Sequence, residues 1–435
     1  MIAPLTTNTQ AILLLTAPLI AGRNDSSAEL LTFGEYNRLA RMLREKQKQP
    51  ADLIGSAAGD VIDSCAKVFG RARLDALLGR GFLLSQAVDR WNARAIWVLS
   101  RADASYPRRF KTRLKEDAPP LLYGCGDAVL LEKGGLAVVG SRHVDDELIA
   151  YTERVGRVAA EAHRTLISGA ARGIDRAAMN GALQAGGTVV GVMSDSLERA
   201  AVASDNREPL MDKWLVLVSP YDPAAGFNVG HAMQRNKFVY ALSDAALVVS
   251  ADFQKGGTWE GAIEQLERLH FVPVFVRNGD NGGKGNRALI QRGGRPWPEP
   301  HSGRDLIEAM KEAAADAAAK PQQETLSFAV HEKMAPSYGE KHAKPVVTPS
   351  MPASASEQTE SPATRLLSSV RQILLQELSE AQTESQVAAL LEVSKSQAKA
   401  WLIQFVEEGT LKKLSKPVRF RAAKSSASFF DFAEP

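Results

Sequence analysis

At 435 residues the chain is too long for one ordinary hydrophobic core, so two or three domains are expected. A composition 45% hydrophobic and 24% charged excludes wholesale disorder. A net charge of only +3 excludes a whole-molecule field that could hold a polyanion, so any such binding has to come from local patches.

The apolar stretch "AILLLTAPLIAG" follows no Lys or Arg, precedes no A-x-A site and is too short for a bilayer. It is expected as a buried helix of a cytoplasmic protein with no membrane partner. Residues 1–105 read as a helical domain. "TFGEYNRLARMLREK" puts Tyr36, Leu39 and Leu43 on one face, and "RARLDALLGRGFLLSQAVDRW" behaves likewise. Cys65 and Cys125 have no His or Cys neighbours at metal-ligand spacing and read as free thiols, so no metal site is expected.

After a basic connector, "YPRRFKTRLKEDAPPLLYG", residues 106–312 alternate strand-like runs with amphipathic helices. The runs are "LAVVG", "RTLIS", "TVVGVM", "LVLVS", "AALVVS" and "FVPVFV". Continuous apolar runs mean strands buried on both faces, hence an α/β, doubly wound, mostly parallel Rossmann-like sheet. Residues 313–362 turn to Ala, Pro, Ser, Gln and Lys and are expected as a linker. Over 363–424 the order is helix, a second helix capped by Thr383, a third helix, then a hairpin, which is the order of a small winged helix; 425–435 is a tail. Ser394, Lys395, Ser396 and Lys399 fall on its expected recognition helix, in a stretch (395–424) with eight Lys or Arg against two acids. That module is expected either to contact DNA or to bind protein.

In open α/β sheets ligands bind outside the carboxyl ends of the strands, where helix starts offer free N–H groups. Four segments fall at such ends. "GSR" supplies Gly140, Ser141 and Arg142; "SGAARGID" supplies Ser168, Gly169, Arg172, Gly173 and Asp175. "FNVGHAMQRNK" supplies Phe227, Arg235, Asn236 and Lys237, and "KGGTWEGA" supplies Gly256, Gly257 and Thr258. Each has a bland alternative: Asp175 and Glu260 are acids favoured in a first helical turn, and Arg235 with Lys237 fits a solvated helix face. Converging on one sheet edge, the four point to a phosphate-rich ligand. With no G-x-G-x-x-G, Walker loop, HExxH or Ser-His-Asp order, no catalytic residue and no cofactor are assigned, and His143 and His231 receive no role.

The run from "ADASYPRRFKTRLKEDAPPLLYGCGD" through "LAVVGSR", "LISGAARGIDRAAMNGAL" and "RNKFVYALSDAALVV" resembles the DNA-processing protein A family (DprA, or Smf) over about residues 101–295. The resemblance implies an extended Rossmann domain that binds single-stranded DNA and helps load a RecA-type recombinase during natural transformation. It would put Arg142, Ser168, Gly169, Arg172, Gly173, Phe227, Arg235, Asn236 and Lys237 along the DNA groove. A homodimer is compatible with a polar-faced Rossmann surface. "YDPAAGFNVGHAMQ" and "KGGTWEGA" depart from the family pattern. The latter resembles the nucleotide-binding loop of the lysine-decarboxylase-like phosphoribohydrolases, but has Gly261 where that loop needs an acid. A nucleotide sensor or hydrolase is therefore the alternative expectation.

Overall fold

The structure, a computed structural model, describes residues 4–19, 29–55, 58–278 and 283–319. In the C-terminal part it describes 371, 374–378, 381–390, 402, 405–406, 410–414 and 419–422. The chain divides into two compact units, Met1–Phe328 and Ala329–Pro435.

The first unit opens with α1 (Thr7–Thr16), α2 (Phe33–Glu45), α3 (Ala58–Phe69), α4 (Arg71–Leu78) and α5 (Gly81–Asn92). The expected buried N-terminal helix is α1, in which Ile12, Leu13 and Leu15 are wholly enclosed. Helix α2 begins at a capping box: the Glu35 N–H donates to Thr32 Oγ1, and the Thr32 N–H donates to Glu35 Oε2 at 2.8 Å. Its buried residues are Tyr36, Leu39 and Leu43, the face the 3.6-residue period assigns.

The remainder alternates: β1 (Trp97–Ser100), α6 (Arg108–Leu114), β2 (Leu121–Gly126), β3 (Leu136–Gly140), α7 (Asp146–Glu161), β4 (Leu166–Ser168), α8 (Ile174–Gln184) and β5 (Val189–Val192). Then come α9 (Leu197–Ala201), α10 (Ser204–Met211), β6 (Leu215–Ser219), α11 (Val229–Leu242), β7 (Ala245–Ser250) and α12 (Gly256–Glu264). The unit closes with β8 (Val274–Val276), α13 (Gly283–Gln291), β9 (Arg295–Pro296) and α14 (Gly303–Ala319). The sheet order is β1-β2-β6-β5-β4-β3-β7-β8-β9. All neighbours from β6 to β9 are parallel, while β1 and β2 form an antiparallel extension on the β6 edge. Both faces are apolar. Leu136, Val138, Leu166, Val189 and Leu247 share one core with α1, α5, α7 and α8, and Ala137, Val139, Ile167, Val190 and Val248 share the other with α6, α11 and α12. Chain order reverses at β3, which pairs with β4 on one side and β7 on the other, so the topological switch point lies at the carboxyl end of β3.

Two boundaries differ from those the sequence suggests. Residues 1–105 are not wholly helical, because β1 is part of the sheet. Asp103 fastens it to α1, with Oδ2 accepting from Thr9 Oγ1 at 2.7 Å and from the Ser100 N–H at 2.6 Å. The linker does not start at 313: α14 continues to Ala319, and Ala313 is fully buried in the core.

The second unit contains α15 (Glu384–Leu390) and a hairpin of β10 (Leu411–Leu414) with β11 (Arg419–Ala422). Thr383 caps α15, its Oγ1 accepting from the Gln386 N–H while Gln386 Oε1 accepts from the Thr383 N–H. Leu374, Leu378, Val387, Leu402, Phe405, Leu411 and Phe420 form its core. The expected recognition-helix residues Ser394, Lys395, Ser396 and Lys399 lie outside the described residues, as do 320–362 and 425–435.

Candidate nucleic-acid interface

A cavity of about 540 Å³ opens where β3, β7 and the starts of α11 and α12 meet. It brings together Gly140, Ser141, Arg142, Asp175, Phe227, Arg235, Asn236, Gly256, Gly257 and Thr258 from the four segments marked in the sequence. Ligand sites at a switch point arise because strands on either side turn away in opposite directions and leave a crevice between their loops. Here three polar contacts tie the segments lining the crevice to one another. Ser141 Oγ donates to Ser250 O at 3.3 Å, joining the ends of β3 and β7. Thr258 Oγ1 donates to Gly140 O at 3.0 Å, and Asn236 Nδ2 donates to Gly257 O at 2.7 Å. The first turn of α12 has no side-chain cap, and Gly256, Gly257 and Thr258, which carry its first N–H groups at the positive end of the dipole, line the cavity.

The two arginines differ sharply. Arg142 is exposed, makes no ion pair with a described residue, and lies over the Phe227 ring at 5.5 Å. Phe227 itself is 60% exposed. Arg235 is buried: its Nη1 donates to Asp175 Oδ2 at 3.1 Å, and both side chains are 6% exposed. Burial pushes the Asp175 carboxyl above its ordinary range, with the Arg235 guanidinium pulling the other way. The guanidinium crosses directly over Gly169, where a Cβ would fall 0.7 Å from Nη1. Arg235 Nε is buried with no hydrogen-bond partner among the described residues. Arg235 is thus a strut under the site, not a free phosphate ligand as the sequence suggests.

Five expected groove residues do not line the cavity. Ser168 is fully buried and donates to Val138 O at 2.6 Å, a strand-to-strand contact. Gly169 underlies Arg235 as described. Gly173, at φ +78°, turns the chain into α8 against the carbonyls of Ser141 and Arg142. Arg172 is exposed on the same turn but outside the lining. Lys237 is two residues from Arg235, which on a helix is about 200° round the axis. It points away, over the Phe238 ring, and burial lowers its pKa despite nearby Asp117.

Residues without an expected role complete the wall: Val139, His143, Ala171, Val229, Ala232, Met233, Asp252, Lys255 and Glu260. Val229, Met233 and Asn236 are spaced i, i+4, i+7, so recognising Asn228 as the α11 cap would have aimed this face correctly. Among the described residues, the cavity charges without an ion pair are then Arg142 and Lys255 against Asp252 and Glu260, since Arg235 and Asp175 pair with each other. Beside the cavity His231 stacks on Tyr221 at 3.7 Å and 9°. Burial lowers the His231 pKa against the opposing pull of Asp195, and raises that of Tyr221 to about 12.

Residues 97–310 match the family described as DNA recombination-mediator protein A. Over that span the chain resembles the DprA/Smf family. It is 30% identical to DNA processing protein DprA of Streptococcus pneumoniae over 182 residues, 41% of this chain and 64% of that protein. It is 33% identical to Protein Smf of Escherichia coli over 195 residues, 42% of this chain and 50% of that one. The X-ray structure of pneumococcal DprA superposes with a TM-score of 0.51 at 22% identity, covering 70% of this chain and 98% of the other. That likeness establishes the DprA-type Rossmann fold. DprA/Smf proteins are DNA-processing proteins, and the cavity with its glycine turns lies inside the matched span. Among the described residues no helix is long and apolar enough to cross a membrane.

Proposed function

We propose that this protein binds single-stranded DNA in the switch-point cavity, without sequence preference, and acts as a binder and not as an enzyme. The observation that carries this reading is an exposed aromatic, Phe227, under an exposed arginine, Arg142, that makes no ion pair among the described residues, in a cavity also lined by the uncapped start of α12. Aromatic faces stack any base, while amides and guanidinium groups hold phosphates without reading sequence. Following its family resemblance, the bound protein shields exposed or incoming single strands and assists loading of a RecA-type recombinase, as a homodimer in one arrangement. The C-terminal module is a winged helix contacting DNA or protein in the same account. Replacing Phe227 by Ala should weaken binding of a homopolymeric single strand by about 1–3 kcal/mol, read by fluorescence anisotropy. Undiminished affinity would remove the stacking platform.

A second reading is favoured by Asp252 and Glu260, two cavity carboxylates without ion-pair partners among the described residues. Such acids suit the hydroxyls of a free nucleotide better than a phosphate chain. A thermal-shift series separates the two, because a site made for a mononucleotide is stabilised by it at modest concentration. On the leading reading mononucleotides leave the midpoint unmoved and an oligonucleotide raises it.

A further inference from the structure

The turn after β7 carries a second aromatic ring just outside the cavity. Phe253 is 48% exposed, yet it is held firmly. Its ring meets buried Trp259 edge-on at 5.3 Å and 71°. Fully buried Asn286 fixes the turn, with Oδ1 accepting from the Ala251 N–H at 3.0 Å and Nδ2 donating to Val249 O at 3.0 Å. Gly285 lets α13 press against it: a Cβ there would lie 2.0 Å from Ala251 O and 3.0 Å from the Phe253 nitrogen. A ring already held by a neighbour, with about half of its surface in water, loses little entropy when a planar partner covers the exposed part.

The exposed charge on the segments flanking this turn suits a polyanion. Lys255, Lys284 and Arg287 are exposed, and none makes an ion pair with a described residue. Lys255 lines the cavity, whereas Lys284 and Arg287 belong to the first turns of α13, about 100° and 200° round the helix from Gly285, and so lie on the side turned away from the Phe253 turn, over which a strand leaving the ring would pass. Asp252 is the adjoining acid. We propose that Phe253 is a second stacking platform for single-stranded DNA, receiving a base outside the cavity while Lys284 and Arg287 meet the phosphates leading towards α13. The strand would then run from Phe227 through the cavity, past Lys255 and over Phe253. This rests on the reading of the cavity as a single-strand site, and adds to it a path and an occluded length.

The test uses the full chain and homopolymeric single strands of increasing length, with affinity read by anisotropy. Phe227→Ala should weaken every length that binds. Phe253→Ala should leave the shortest binding strands unaffected and weaken longer ones by roughly fivefold or more, the low end of what one stacked base contributes. Phe253→Trp should restore them. Phe253→Leu, which keeps apolar packing on Trp259 but lacks a π-face, should behave like the alanine variant and guards against a folding defect. If Phe253→Ala and Phe253→Leu bind all lengths as the parent does while Phe227→Ala is weakened, the second platform is wrong and the cavity reading stands. If the parent chain binds no single strand at any length, the cavity reading fails and the platform with it.

Discussion

Arg142 and Arg235 border one cavity, yet removing each should have opposite consequences. Arg142 is exposed and stacked on Phe227, so Arg142→Ala should weaken single-strand binding and leave the unfolding midpoint nearly unchanged. Arg235 neutralises Asp175 in the interior. Its replacement by Ala strands a buried carboxylate, which typically costs about 3–5 kcal/mol. Urea titrations of the two variants should therefore separate them, and an Arg235→Ala protein of parental stability would refute the strut. Which arginine is free could not be read from the sequence, because both belong to polar segments after strands and nothing local marks which of them will meet a buried acid. Only the tertiary approach of α11 over Gly169 decides it. The same limit explains Lys237, which the sequence groups with Arg235 but the helix rotates to another face.

Among the elements, those defined by local signals were legible. The capped, amphipathic α2 and the continuous apolar strands β3, β6 and β7 lie where periodicity puts them, since each buries the residues its pattern marks. Strands β1 and β2 were not legible. "WVLS" is only four residues long and sits beside helical sequence, and its partner "LLYGCG" is broken by glycine, so their pairing is set by contact with β6 and not by propensity. The α2 capping box offers a pH test of element stability. The Arg73 side chain, then the Thr32 N–H, hold the Glu35 carboxyl down at about 2 from an ordinary 4.5. A carboxyl with a depressed folded pKa stabilises fully above about 4.5 and loses that contribution as the pH falls towards about 2. Glu35 is partly exposed, so screening limits its contribution to roughly 1 kcal/mol. Glu35→Gln should thus lower the urea midpoint at pH 7 and converge on the parent only as the pH falls to about 2. A gap that persists at low pH would mean the glutamate acts through packing instead of charge.

For the whole molecule, a net charge of +3 leaves association to local groups. The cavity contributes Arg142 and Lys255, and the path over Phe253 adds Lys284 and Arg287. Each phosphate contact on a single strand contributes about −0.7 to the slope of log affinity against log salt, so two to four contacts give about −1.4 to −2.8. The most direct measurement is the affinity of the full chain for one oligonucleotide, single-stranded and as a duplex, across a salt series. The account predicts tighter single-strand binding, indifferent to sequence, with a slope in that range. Duplex preference, or a single-strand affinity that salt does not change, would contradict it and return the cavity to a small ligand.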